Sequence, residues 1–276
     1  MKYGFVLPAG DAAVAAELGA AAEDAGWDGF FVWEPVWGVD AWVSLTAVAM
    51  RTSRIRLGTM ITPVSRMRPW KLASETATLD NLSGGRVQLA VGLGAPDTGW
   101  KDFGEETDRR VRAELLDEGL DVLTGLWRGQ PFSYAGKHYE VRPTSFMVPP
   151  PQVQQPRIPI WVVGAWGFEK SMQRVLRYDG MLPNVRGQDG NMRAANVDEV
   201  RAIASYVRER RGEGAAFDIV VEGQTPASDR AAAVAAVQPW IDAGATWWIE
   251  AMWGIEAGAD AVAVLRARIA AGPPRG

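Results

Sequence analysis

The sequence predicts an α/β protein, an eight-stranded parallel barrel, on three observations. About eight short apolar runs recur along the 276 residues, each followed by a helical pattern. The runs are continuous rather than alternating, as strands become when helices cover them outside and side chains fill them inside. Arg54–Gly94 (RIRLGTMITPVSRMRPWKLASETATLDNLSGGRVQLAVGLG) spells one complete repeat. In it the apolar runs Ile55–Ile61 and Val87–Val91 flank a helical pattern that begins near Pro69. That pattern stops at Leu82-Ser83-Gly84-Gly85, where glycine can take the left-handed conformation that ends a helix. Strand, helix and strand over about forty residues form a right-handed βαβ unit of a parallel sheet. The competing arrangement is an open doubly wound sheet, but a barrel of this length is routinely one domain, here 1–276.

Taken in order, Tyr3–Leu7 reads as the first strand, ended by Pro8. Asp11 is placed to cap a helix with Val14, Leu18, Ala21 and Ala25 on one face and Gly26 at its close. Gly29–Trp33 is the second strand, with Glu34-Pro35 just beyond it, and Ala41–Met50 the second helix. The third and fourth strands lie in Arg54–Gly94, and a charged helix follows from about Asp108 to Trp127 with Leu116, Leu120, Leu123 and Trp127 on one stripe. Gly129–Arg157 has no clear period and reads as an insertion with short strands. Pro159–Val163 is the fifth strand, leading through Gly164-Ala165-Trp166-Gly167 into a helix from about Phe168 to Tyr178. Met181-Leu182 is a weak sixth strand, Phe217–Val221 the seventh and Thr246–Met252 the eighth. Their helices are Val197–Arg211, Ser228–Asp242, which Pro239 should bend or interrupt, and Asp260–Ile269.

Composition excludes several functions. Both charge signs are interspersed around a net charge of −4, so no basic field attracts nucleic acid or an anionic membrane. No apolar run approaches the roughly 20 residues of a membrane span, and MKYGFVLPAG is too poor in apolar residues for a signal peptide. A cytoplasmic protein is expected. Cysteine is absent, which removes disulfide, thiolate and cysteine-ligated metal chemistry. One histidine, His138, argues against a His-based metal site or a Ser-His-Asp triad, so no metal is expected. His138 falls in the insertion and reads as part of a surface turn. The 13 tryptophans provide aromatic surface for the core or for a planar ligand.

Barrels of this kind carry their sites at the C-terminal ends of the strands. Those ends are rich in glycine and aromatics and poor in acids and bases, which suits a large planar cofactor whose own atoms carry the chemistry. Two phosphate motifs fail. Gly92-Leu93-Gly94 is followed by Asp97 where a dinucleotide fingerprint needs glycine. Gly164 to Ser171 nearly spells a Walker A loop, but Glu169 occupies its second glycine. What stays open at Gly164–Phe168 is either an ordinary strand-to-helix turn or a helix start whose N–H groups hold one phosphate.

GWDGFFVWE (Gly26–Glu34), the Arg54–Gly94 stretch, RAELLDEGLDVLTGLW (Arg112–Trp127), PRIPIWVVG (Pro156–Gly164) and GATWWIE (Gly244–Glu250) together resemble the bacterial luciferase-like flavin-dependent oxidoreductases. LDNLSGGRVQLAVGLG after GTMITP is the most specific part. The resemblance implies a (β/α)8 TIM barrel with an insertion after the fourth helix, about 129–158, and FMN or the deazaflavin F420 across the C-terminal face. It implies a ring support at Met60–Ile61, often a non-proline cis bond in the family, and a phosphate near Gly164, Ala165, Trp166 and Gly167. Gly92 and Gly94 would let the cofactor approach the backbone closely. A homodimer and a small apolar substrate are likewise implied.

Two departures stand out. Many F420-using members carry Asp-His where this chain has Glu34-Pro35, and an acid used by some members after the strand-four glycines is Ala95 here. Glu34 is therefore the leading catalytic acid/base candidate, with a structural carboxylate as the alternative, and the missing imidazole tips the cofactor choice from F420 towards FMN. Trp33, Trp37, Trp100 and Trp253 are candidate walls of a substrate pocket, while Glu250 reads as a salt-bridged core acid. The function expected is monooxygenation or hydride exchange with a bound reduced cofactor. The competing readings are a cofactor-binding or cofactor-free relative that has lost catalysis, and a metal-dependent barrel hydrolase that the single histidine argues against.

Overall fold

In the computed structural model, which describes residues 1–255 and 259–276, eight parallel strands close into a barrel. They are β1 (Lys2–Leu7), β2 (Gly29–Val32), β3 (Arg56–Thr59), β4 (Val87–Gly92), β5 (Ile160–Trp166), β6 (Gly180–Arg186), β7 (Asp218–Gly223) and β8 (Trp247–Ala251). Sequential strands pair in register, and β8 returns to β1 from Lys2↔Trp247 to Val6↔Ala251, which closes the barrel. Among the described residues eight helices cover it: α1 (Ala12–Asp24), α2 (Ala41–Ala49), α3 (Pro69–Ser83), α4 (Arg109–Trp127), α5 (Glu169–Leu176), α6 (Val197–Arg211), α7 (Arg230–Asp242) and α8 (Ala259–Ala270). Among these residues no helix is long and apolar enough to cross a membrane.

The helix boundaries follow local chemistry. Asp11 accepts the Val14 N–H at 2.8 Å, Asn196 and Glu199 form a capping box at the start of α6, and α3 opens on Pro69 and closes on Gly84 at φ 67°. Pro239 sits inside α7, which continues past it to Asp242. The sixth strand is longer than the Met181-Leu182 expected. Pro183 and Asn184 are poor strand formers, yet registered pairing with β5 from Trp161↔Gly180 to Trp166↔Val185 overrides that preference. Met192–Ala194 then folds back antiparallel on β6.

Two of the 13 tryptophans, Trp161 and Trp247, lie in the barrel interior. Phe31, Trp161 and Trp247 fill its floor, with ring centroids 5.1–6.1 Å apart. Gly4 and Gly29 make room, since a Cβ at either would lie under 3 Å from the Phe31 ring. Gly58 is tighter still: its Cβ would lie 2.0 Å from the Gln88 carbonyl oxygen, so β3 and β4 approach each other only because the side chain is missing. Below the floor the Trp161 indole donates to Asp218 at 3.1 Å. On the outer face of β8 Glu250 is fully buried, ion-paired to Arg268 at 3.1 Å and bonded to the Thr225 N–H and hydroxyl. It is a core acid facing the helix layer.

Between α4 and β5 the chain forms a hairpin, Tyr134–Ala135 against Glu140–Val141. The Glu118 carboxylate on α4 accepts the N–H groups of Lys137, His138 and Tyr139, and His138 Nε2 lies 3.1 Å from Glu114. Farther on, Gln154 ties the segment back to Asp80 of α3 through its backbone and side-chain N–H groups.

Candidate active site

A cavity of about 1090 Å³ opens at the C-terminal ends of the strands, at the upper limit of the ~300–1,000 Å³ usual for ligand sites. Its inner wall is apolar, formed by Met60 and Ile61 after β3, Gly94 after β4, Val163 on β5, Leu182 on β6 and Val220 on β7. Its outer wall is cationic, with Arg109 and Arg110 from the start of α4 and Lys170 and Arg174 from α5. Glu222 and Trp253 complete the side formed by β7 and β8.

At the end of β3 the Met60–Ile61 peptide bond is cis and both residues line the cavity. Thr62–Pro63 then pairs with the end of β4. Gly92 faces inward beneath Ile61, whose Cδ1 occupies the space that a Cβ would need. Gly94, at φ 74°, lines the cavity with its Cα against the Trp100 ring.

The turn after β5 divides the residues read as the phosphate contact. Ala165 lines the cavity, and its N–H donates to Ser171 Oγ at 2.9 Å. Gly164 faces the helix layer, where a Cβ would meet Val175 and Met181. Trp166 packs edge-on against Tyr206 at 5.2 Å, and Gly167 makes the turn at φ 85°. Among the described residues no side chain caps the first turn of α5. Lys170 and Arg109 have no ion-pair partner among the described residues; Arg109 lies over the Phe168 ring at 5.6 Å. Arg174 is neutralised by Asp117 at 2.7 Å, and Arg110 approaches Glu114 at 3.5 Å. The sequence reading missed Arg109, Lys170 and Ser171. The last two were visible as the Lys-Ser of the failed Walker match.

Glu34 is held beside the cavity rather than on its wall. Thr62 Oγ1 donates to Glu34 Oε2 at 2.6 Å, and the buried Thr59 hydroxyl lies 2.8 Å from that of Thr62. Burial pushes the Glu34 carboxyl up to about 7, opposed by the Thr62 hydrogen bond and the nearby Arg66 charge. Arg66 itself donates to the backbone carbonyls of Glu34 and Pro35, both at 3.0 Å.

The four tryptophans read as pocket walls part company. Trp253 lines the cavity and donates through Nε1 to Glu222 Oε2 at 2.8 Å. Desolvation raises the Glu222 carboxyl, and the indole N–H works against that rise. Trp33 lies off the cavity and donates to the Pro8 carbonyl at 3.2 Å. Trp37 is 83% exposed and leans on Phe103 with ring centroids 6.2 Å apart. Trp100, only 2% exposed, has the guanidinium groups of Arg66 (5.7 Å) and Arg112 (5.4 Å) over its ring. Arg112 donates to the carbonyls of Leu93 at 2.7 Å and Gly94 at 3.2 Å, so Trp100 is a buried spacer between two loops, not a wall.

A family model described as luciferase-like monooxygenase matches residues 3–271. A Mycobacterium tuberculosis protein, named provisionally as a coenzyme F420-dependent oxidoreductase, is 31% identical over 253 residues, 82% of this chain. The match spans 66% of that relative's own length. Among solved structures, the monooxygenase RslO1 from Streptomyces bottropensis superposes with a TM-score of 0.74 at 21% identity, covering 98% of both chains. The coenzyme F420-dependent tetrahydromethanopterin reductase from Methanopyrus kandleri superposes with a TM-score of 0.71 at 17% identity, again over 98% of both. At these identities the two structures establish a shared fold.

Proposed function

Since the chain belongs to the luciferase-like monooxygenase family, we propose that it is an oxidoreductase that binds reduced FMN or F420 in the cavity and acts on a small apolar organic substrate. The observation that carries this reading is the make-up of the cavity, an apolar inner wall facing an uncapped, cation-flanked helix start. That division suits a planar ring joined to a phosphate. Met60, Ile61, Gly94 and Val163 would pack against the ring. Arg109, Lys170, the Ser171 hydroxyl and the first N–H groups of α5 would hold the phosphate. The bound group supplies the redox chemistry, as hydride exchange or oxygen activation.

The chain's own contribution is binding, orientation, exclusion of water by the apolar wall, and proton handling at Glu34. With Oε2 held by Thr62, Glu34 would take or release a proton at Oε1 near neutral pH. The names of the two F420-dependent relatives support F420, against the lean to FMN drawn from Glu34-Pro35. We read 1–276 as one barrel domain with an insertion at about 129–158, acting as a homodimer in the cytoplasm. A second reading, a cofactor-binding relative without turnover, is favoured by the position of Glu34 off the cavity wall.

Side-by-side titration with FMN and F420, followed by quenching of tryptophan fluorescence, tests the proposal. Saturable quenching by either is the expected result, and none at high concentration of both would sink it. Turnover by the loaded protein separates the second reading from the first.

A further inference from the structure

Glu222 is the sole acidic residue on the cavity wall among the described residues. Other carboxylates held inside the fold have structural work. Glu250 is paired with Arg268, Glu118 holds the hairpin turn, and Asp218 accepts from Trp161 and Thr246. Glu222 has no cationic partner among the described residues and receives one hydrogen bond, from Trp253 Nε1 to Oε2. An indole N–H can only donate, so the contact orients the carboxyl and leaves Oε1 without a protein partner among the described residues.

Its place on β7 gives that oxygen a direction. Val220, two residues earlier, packs in the barrel interior, so Glu222 also faces inward, at the mouth of the barrel. In an eight-stranded barrel β7 stands across from β3, which ends in Met60 and Ile61, so the carboxyl lies across the cavity from that wall. An anionic substrate would be repelled by Glu222, and a cationic one finds no second carboxylate on the described wall and an apolar face opposite. A neutral group with an O–H donor suits both.

We propose that Glu222 recognises the substrate by accepting, at Oε1, a hydrogen bond from a hydroxyl group on an otherwise apolar molecule, with Trp253 as its positioning residue. This deepens the oxidoreductase reading and rests on it for the identity of the cavity as the reaction site.

The test compares benzyl alcohol with toluene, probes that differ chiefly in one hydroxyl, binding to the full chain with and without added cofactor. Wild type should bind the alcohol about tenfold more tightly, the worth of one charge-assisted hydrogen bond. Glu222→Leu should reduce that ratio to below about twofold, Glu222→Gln should keep part of it, and Trp253→Phe should fall between wild type and Glu222→Leu. Unchanged thermal unfolding shows that each variant is folded. A wild type that does not prefer the alcohol, including one that binds neither probe, overturns the proposal, as does a preference that survives Glu222→Leu. FMN and F420 titrations on the same samples separate the two ideas. Glu222-dependent preference without cofactor binding defeats the oxidoreductase reading alone, and cofactor binding without the preference defeats the recognition role alone.

Discussion

The hydroxyl of Thr62 donates to Glu34 Oε2 at 2.6 Å, binding the end of β2 to the segment that follows the cis peptide. The carboxyl that approaches neutral range is thus fixed by a neutral donor rather than by an ion pair.

That arrangement gives stability a defined pH dependence. Folding raises the Glu34 carboxyl from 4.5 to about 7, so the folded state binds more protons than the unfolded state between those values. The contribution of this group to stability therefore falls as pH rises through that window and is flat above it. Glu34→Gln should match wild type near pH 4.5 and exceed it by on the order of 1–3 kcal/mol at pH 8. Urea unfolding across that range checks this, and a difference that does not change with pH would contradict it.

Trp253→Phe removes the N–H that favours ionised Glu222 while keeping most of the aromatic volume. The Glu222 carboxyl should then titrate at higher pH than in wild type, read from its carboxyl carbon NMR signal. A shift to lower pH would rule out the hydrogen bond as the controlling contact.

Removing one partner of the buried Glu250–Arg268 pair should be costly, because the other charge is left uncompensated among apolar neighbours. Arg268→Met is expected to lower stability by about 3–5 kcal/mol, and adding Glu250→Gln should recover part of it. Equal loss in the single and double variants would show that packing dominates.

Gly58→Ala places a methyl group 2.0 Å from the Gln88 carbonyl oxygen, and backbone cannot rotate away as a side chain can. A loss above about 2 kcal/mol is expected in chemical denaturation. A near-neutral result would mean that β3 and β4 can separate without disturbing the barrel.

Arg109→Ala and Lys170→Ala should each weaken FMN or F420 binding by roughly tenfold or more, the worth of one charge-assisted hydrogen bond, with reduced salt dependence. Fluorescence titration at two ionic strengths measures both effects. Unaltered affinity in both variants would move the phosphate elsewhere.

Sequence and structure agree best where the information is local. The β3–α3–β4 unit is legible because apolar runs, helical spacing and the Gly84 terminator lie within a short stretch of chain. The Glu34 environment is half legible. Its place at a strand end follows from the pattern, but its hold on Thr62 depends on how β2 meets β3. The rest needed three-dimensional closure. Arg109 and Lys170 come from different helices, and Trp253 reaches a carboxylate 31 positions earlier in the chain. Trp100 shows the limit most clearly: an aromatic at a strand end looks the same in sequence whether it walls a pocket or is buried under two guanidinium groups.

The Trp100 ring also partitions the rim of the barrel. Arg66 grips the loop after β2, Arg112 grips the loop after β4, and both rest on one indole. Those two loops therefore share a keystone, and shortening or reshaping either one disturbs the other. The opposite arc, from β6 to β8, carries Glu222 and Trp253 and has no such shared stone among its described contacts. Redesign of this protein for a different substrate has its freedom on that arc.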